Sequence, residues 1–422
     1  MVQVRSFARN VLTLMTGAII AQAIPLAISP ILTRIYTPDD FGTFALYISM
    51  ASILSIIVTG RYELAVMLPV EDEAAVNVAF LCIVIAFLIS FVTFIFIWIF
   101  NDDIVRLVNN RSISNWLYLI PVTILIAGFY RTLNYWSNRK KRYKILSFSR
   151  VSQSTTTAGT NLAMGFGGYG VSGLIVGDII GQGVATGVLS WQAWKDGWNK
   201  KKHFDKEKVI KEAKNYKDFP KINTLHAFID MLQSSGVILL VSKYFGNTIL
   251  GFYSLTMRIL NAPATLIGSA VSQVFYQEAS ETFNNKGDLR PLIIKTIVML
   301  GLMALPIFIL IVLFAPTVFT LVFGAQWKDA GVYAQILSPW ILLRFVYSPV
   351  SQIPLLLGKQ KEYFYVGLIY NLIIILSIAL TGYFGFSVEA SIGIMSFLAT
   401  LALVIVIIWL FTIVEQRETN EL

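Results

Sequence analysis

The sequence predicts an all-α polytopic membrane protein, with about twelve transmembrane helices in two six-helix parallel repeats around a central cavity. Three observations predict this. Of 422 residues, 56% are hydrophobic and only 14% charged, where a soluble chain carries about 25% charged residues. Apolar runs of roughly 20 residues, enough to cross a hydrocarbon core of about 30 Å, recur along the whole chain. The cations between those runs fall into alternate loops, as the positive-inside rule requires. The alternating pattern of a membrane β-barrel is absent.

Taken in order, the runs place helices near 11–35, 43–67, 77–100, 114–136, 150–166 and 171–194, then near 221–243, 250–276, 291–315, 330–356, 362–382 and 388–413. The first follows Arg5 and Arg9, and Ala21-Gln22-Ala23 mimics a signal-peptidase site. Because the run continues to Ile35 with no polar segment after it, it reads as the first span. Glycines between Gly165 and Gly170 separate the fifth helix from the sixth. Gly173, Gly177 and Gly181 form overlapping small-xxx-small steps that allow close helix approach. No strand precedes them and no Lys-Ser/Thr follows, so a phosphate loop is excluded. Pro25, Pro30, Pro121, Pro263, Pro306, Pro339 and Pro354 predict kinked helices.

With the N-terminus inside, the inside segments hold 24 of the 33 Lys and Arg, including Arg139, Lys140, Lys141 and Arg142 in one loop and ten between Lys195 and Lys221. The outside segments hold Arg106, Arg111 and Lys328. Both termini are therefore expected in the cytoplasm. The longest loop divides the chain into an N-terminal six-helix bundle (1–204), an amphipathic cytoplasmic linker (205–220) and a C-terminal six-helix bundle (221–422). A repeat crosses it: the segment from Arg34 through Gly42 to Leu46 aligns without gaps on Lys243 through Gly251 to Leu255, at a constant offset of 209. Six helices per half give both halves the same orientation, an arrangement suited to alternating access. The linker reads as a short basic helix with Val209, Ala213 and Tyr216 on one face, lying on the anionic inner surface.

Six cations remain within or at the margin of the helices: Arg34, Arg61, Arg131, Lys243, Arg258 and Arg344; the acidic side retains Glu63, Asp178 and Asp230. Each charge at mid-bilayer costs about 2.5–3.5 kcal/mol on insertion scales, so these groups should face a cavity or one another, and the positive surplus points to an anionic ligand. Arg131, Arg258 and Arg344 lie deepest. Arg34 and Lys243 either snorkel to the outer interface or join the cavity. Arg61 either pairs locally with Glu63 or joins it too. Asp230 pairs with His226 or Arg258, or couples an ion, and Asp178 and Glu63 share the last role as candidates.

Polar residues fall on helical stripes: Ser254, Arg258, Asn261, Thr265, Ser269, Ser272 and Tyr276 with Gln273 beside them, Asn223, His226, Asp230 and Gln233, and Asp178, Gln182 and Thr186. Asn223, Asn261, Thr265, Gln273 and Gln182 are the expected polar lining.

Other classes are excluded. The net charge of +9 sits in short loops, where it orients helices and does not form a nucleic-acid surface. One cysteine, Cys82, permits no disulfide framework, cysteine metal site or redox motif. His203 and His226 complete no nucleophile–base–carboxylate set, so no enzyme and no cofactor is expected.

The segments Asn10 to Leu46, Gly60 to Pro69 and Asn215 to Leu260, the last with Pro220, Asp230, Gly251 and Tyr253, resemble the polysaccharide transporter family, the O-antigen flippases. These belong to the multidrug/oligosaccharidyl-lipid/polysaccharide exporter superfamily. The resemblance runs over essentially the whole chain and rests on diffuse patterns. It implies translocation of an undecaprenyl-diphosphate-linked oligosaccharide, an O-antigen-type unit of lipopolysaccharide, from the cytoplasmic to the periplasmic leaflet of the bacterial inner membrane. It also implies membrane lipids, a polysaccharide polymerase and a chain-length regulator as partners. A drug antiporter and a lipid II flippase are alternatives within the superfamily, disfavoured because Val11 to Thr33 carries no charge. A polymerase is disfavoured because the longest outside loop, Asn101 to Ile113, is short.

Overall fold

A computed structural model describes residues 2–198 and 206–421. The helices, in order, are α1 (Val2–Ile35), α2 (Pro38–Ile57), α3 (Asp72–Val108), α4 (Ser114–Leu117), α5 (Ile120–Arg139), α6 (Tyr143–Phe166), α7 (Val171–Lys195) and α8 (Lys206–Asn215). There follow α9 (Thr224–Phe245), α10 (Asn247–Pro263), α11 (Ser269–Asn284), α12 (Arg290–Phe323), α13 (Lys328–Tyr347), α14 (Ile353–Leu356), α15 (Gln360–Tyr383) and α16 (Val388–Glu421).

The described residues make twelve long helical passes when two broken rods are each taken as one. The α4 end bends by 52° into α5, and the π-turn Ala264–Gly268 joins α10 to α11. Among the described residues, seven helices are long and apolar enough to cross a membrane, eight with the bent α4–α5 pair. The remaining four passes, α6, α9, α10–α11 and α13, carry more polar residues, as a face turned toward protein or water requires.

Two departures from the sequence expectation have backbone causes. The second helix was expected to reach residue 67 but stops at Ile57. Gly60 and Arg61 both adopt left-handed conformations (φ 57° and 59°), and Tyr62–Met67 continues as a 3-10 segment. The tenth pass was expected to reach residue 356 but stops at Tyr347, ahead of Pro349 and Pro354. Prolines 25, 30, 306 and 339 do lie inside helices, and Pro263 ends α10 at the π-turn. Pro121 and Pro354, expected to kink helices, instead start them, where a missing N–H goes unnoticed.

Packing divides the chain into two compact units, residues 1–250 and 251–422. In the first, the first pass pairs with the fifth and the second with the fourth, each pair parallel, as passes that cross in the same direction must be. Ser147 Oγ donates to the Thr13 carbonyl and Ser154 Oγ to that of Ala21, so α6 runs alongside α1. Tyr47 and Thr123 share a hydrogen bond of 2.5 Å, and Arg131 donates to the Ser55 carbonyl; both links span 76 residues, so α5 runs alongside α2. The glycine stripe of α7 packs on α6. A methyl on Gly181 would overlap Thr157 Oγ1, and one on Gly173 would overlap the Tyr36 hydroxyl. The helix α9 packs on α2, with Ser49 Oγ donating to the Ser235 carbonyl.

Neighbours recur between the units. In the first, α3 packs on α5, α5 on α7 and α6 on α7; in the second, α12 packs on α13, α13 on α16 and α15 on α16. The offset of 209 also joins the first residues of α2 and α10, Pro38 and Asn247. The basic helix α8 sits within the first unit. Its expected lipid-facing residues Val209, Ala213 and Tyr216 are half-buried, with Tyr216 against the cluster around Trp136 and Leu133. Protein covers this face because Tyr62 and the start of α3 offer it a seat.

A tight backbone approach lies at Gly331, where a methyl would meet Pro316 Cα at 2.5 Å and the Ala315 carbonyl at 2.7 Å. Gly331→Ala should destabilise the second unit by about 1–3 kcal/mol, since neither neighbour is a flexible side-chain end. Gly187→Ala, with open space around it, should be neutral or slightly stabilising. Thermal unfolding in detergent followed by size-exclusion fluorescence separates the two; equal melting would contradict this packing.

Candidate functional site

The first unit gathers three of the expected charges. The early stop of α2 leaves its last carbonyls without helical partners. Arg131, from α5, donates to one of them, Ser55, at 2.5 Å. A cation at a helix C-terminus is also favoured by the helix dipole. Two residues beyond the end of α2 comes Thr59, whose hydroxyl donates to Glu63 at 2.5 Å. Glu63 is 1% exposed, and Arg61 stands 3.6 Å from it with a side chain 26% exposed. The local pair, one of the two alternatives that the sequence leaves open for Arg61, is therefore present. It leaves Arg61 incompletely satisfied, because its Nε is buried without a hydrogen-bond partner.

Arg131, Arg61, Glu63 and Tyr135 all lie within electrostatic reach of one another. The cluster holds two guanidiniums against one carboxylate, a net positive site with donors to spare. Sequence reading missed Tyr135, although it follows Arg131 by one turn on the same face. It also missed Ser55 and Thr59, whose parts depend on where α2 ends.

Asp178 and Gln182 lie one turn apart on α7, half-buried. Gln182 Oε1 is buried without a partner, and Asp178 interacts electrostatically with Tyr47 across the α2–α7 contact. Asp178 makes no ion pair among the described residues. Arg34 is set apart from these groups: it is exposed and donates to the Pro30 carbonyl of its own helix at 2.9 Å. Lys243 leans over the Tyr244 ring at 5.6 Å.

The second unit holds Arg258 and Arg344. Arg258 is half-buried on α10. Arg344, expected deep, is exposed on α13, near the end of that helix. Its guanidinium carbon lies 5.8 Å from the Trp340 ring centroid, a cation–π distance. Trp340 is itself fixed, donating to the Tyr370 hydroxyl of α15 at 2.7 Å. Neither Trp340 nor Tyr370 carries a signal in the sequence, since their pairing depends on tertiary contact alone.

Two expected lining residues differ in their surroundings. Asn261 donates to the Met257 carbonyl of its own helix, and Gln273 is exposed. The side chains of Asn223, His226, Asp230 and Thr265 lie outside the described residues, as does His203. Among the described residues, no group of three or more His, Cys, Asp and Glu could hold a metal ion.

Comparison with known proteins adds a family. The teichuronic acid biosynthesis protein TuaB of Bacillus subtilis (strain 168) is 19% identical over 272 residues, 64% of this chain. The match spans 55% of TuaB, about half its length. The lipid II flippase MurJ, in its inward closed conformation, is similar with a TM-score of 0.72 at 13% identity, over 97% of this chain and 87% of MurJ. An inward-facing multidrug resistance MATE family transporter of the MOP superfamily gives 0.63 at 13% identity, over 97% and 96%. These likenesses establish the fold, an all-α polytopic membrane architecture. Residues 31–332 match the family model described as polysaccharide biosynthesis protein, so the chain belongs to that family.

Proposed function

We propose that the protein is a flippase that moves an undecaprenyl-diphosphate-linked oligosaccharide, of the O-antigen type, from the cytoplasmic to the periplasmic leaflet by alternating access. The observation that carries this reading is the Arg61–Arg131–Glu63 cluster, with its surplus positive charge and the buried, unpartnered Nε of Arg61. Guanidinium N–H groups match phosphate oxygens in geometry and charge. A diphosphate supplies the missing acceptors, and the cluster needs no metal to receive it.

In this reading the protein is a transporter and not an enzyme: nothing covalent changes, and the lipid tail stays in the bilayer. Both termini lie in the cytoplasm, and the membrane is the bacterial inner membrane. The two six-helix halves, with the 205–220 linker between them, are the moving bodies of alternating access. Outward movement of two negative charges is favoured by about 4.6 kcal/mol per 100 mV, inside negative, when they travel unneutralised. Asp178, with Gln182 beside it, is the coupling candidate of the first unit. Polymerase and chain-length regulator would act on the delivered product outside.

The decisive experiment uses proteoliposomes carrying a fluorescent polyprenyl-diphosphate oligosaccharide, with leaflet exchange as the readout. Arg61→Ala and Arg131→Ala should each slow exchange about 10- to 100-fold, the scale of a lost charged hydrogen bond, while insertion is unchanged. Full exchange in the double variant, or a change in the mass of the lipid-linked sugar, would reject the proposal. In cells, Arg258→Ala or Arg344→Ala should abolish surface polysaccharide. Normal polysaccharide from both would show that these two arginines take no part in binding.

A further inference from the structure

The chain holds Arg61 in an unusual way. Two consecutive left-handed residues, Gly60 and Arg61, precede the 3-10 segment Tyr62–Met67. For a residue with a side chain this conformation costs about 1–2 kcal/mol and persists only where the surroundings over-determine it. The surroundings consist of two anchors.

The first anchor is Arg139. It donates to the carbonyls of Pro69 (2.6 Å), Val70 (3.1 Å), Met67 (3.4 Å) and Val66 (3.5 Å), and its Nε donates to Asp72 at 3.2 Å. One side chain thus fixes the far end of the segment to the end of α5.

The second anchor is α8. Tyr62, next to Arg61, is 8% exposed, and its ring underlies Gly60, 3.3 Å from where a methyl would stand. The Tyr62 hydroxyl leaves the segment and donates to the Ala213 carbonyl at 3.0 Å. The same helix is tied to α3 by Lys208 on Glu73 at 2.6 Å. Beyond it, Tyr216 and Phe219 pack against the cluster that contains Tyr62. The near end of the segment is therefore held by α8 and the residues just after it.

We propose that Tyr62 is a positioning residue for Arg61, and that the seating of α8 on Tyr62 and Glu73 sets how the Arg61 guanidinium is presented to an anionic ligand. This rests on the reading of Arg61 and Arg131 as the diphosphate-binding pair. Arg139 fixes one end of the segment, so displacement of α8 moves the other end, where the left-handed pair stands. The linker is then part of the binding machinery and reports its own position to the site.

The test is a double-mutant cycle read by calorimetric titration of the full-length protein in detergent with inorganic pyrophosphate. Arg61→Ala should weaken binding about tenfold or more, as expected for a charged hydrogen bond. Tyr62→Phe, which keeps the ring and removes one hydroxyl, should weaken it about three- to tenfold. The double variant should bind no more weakly than Arg61→Ala alone, because Tyr62 acts only through Arg61. Lys208→Gln, which loosens α8 from the surface, should weaken binding in the same direction and vanish in the same way against Arg61→Ala. It carries the test should Tyr62→Phe fail to fold.

Unchanged affinity in both Tyr62→Phe and Lys208→Gln, with Arg61→Ala weakened, would overturn the positioning role and leave the diphosphate reading standing. Losses that multiply in the double variant would also overturn it, assigning Tyr62 to general stability. Unchanged affinity in Arg61→Ala and Arg131→Ala would overturn the diphosphate reading itself.

Discussion

Hydrocarbon offers no hydrogen-bond partner, so every charge and every helix end that the chain brings into the membrane must find its partner in the protein. In the first unit one arrangement answers several of these demands. The end of α2 leaves carbonyls open, and Arg131 fills one at Ser55. The turn after α2 carries Arg61 and Glu63 into the same place, where Thr59 holds the carboxylate. Had α2 continued to residue 67, the Ser55 carbonyl would be closed by its own helix. Arg131 would then lose its partner, and Arg61 would sit at a helical angle set by Ile57. The early termination therefore makes the cluster.

That cluster needs a rigid frame, and the parallel pairing of α2 with α5 provides it. The links Tyr47–Thr123 and Ser55–Arg131 share one register and are separated by eight residues, about 12 Å along a helix. Two fixed points on one register leave little freedom to slide. The second unit uses different means for its arginine: Arg344 is steered by the face of Trp340, which Tyr370 locks from the next helix. The two halves share a pattern of neighbours and differ in their polar fittings. An ancestral repeat whose halves acquired separate tasks would look this way.

How far the sequence could anticipate this depended on the length scale of each cause. Apolar runs and loop cations are local properties, and the twelve passes follow from them. The stripe Gly173, Gly177, Gly181 was readable because small residues at helical spacing have one main use, and α6 does approach there. The end of α2 was not readable, since the apolar character continues through Leu64, Ala65 and Val66, while the break is made by backbone conformation at Gly60 and Arg61. The seat of α8 on Tyr62 was not readable for a related reason. An amphipathic face announces that something covers it, but not whether lipid or protein does, and the answer lay with Tyr62, 151 residues earlier. Trp340 and Tyr370 were invisible because each is an ordinary membrane aromatic until the other is beside it.

The balance of charge in the first unit bears on how a carrier could work there. A flippase must bind its anion firmly enough to draw it from one leaflet and loosely enough to release it into the other, the same compromise that permeation imposes on any transport site. Two guanidiniums alone would hold a diphosphate tightly and would be costly to keep in a low-dielectric site between cargoes. Glu63 offsets one of them, and its burial and its bond from Thr59 keep it in place when no ligand is present. In the proposed reading Arg61, tethered at 3.6 Å and still partly exposed, would exchange between Glu63 and a phosphate oxygen, with Glu63 held by Thr59 whenever the ligand takes the guanidinium. On the proposed function, the carboxylate would serve as a stand-in for the cargo while the site is empty, which lowers the cost of keeping the guanidiniums there between cargoes.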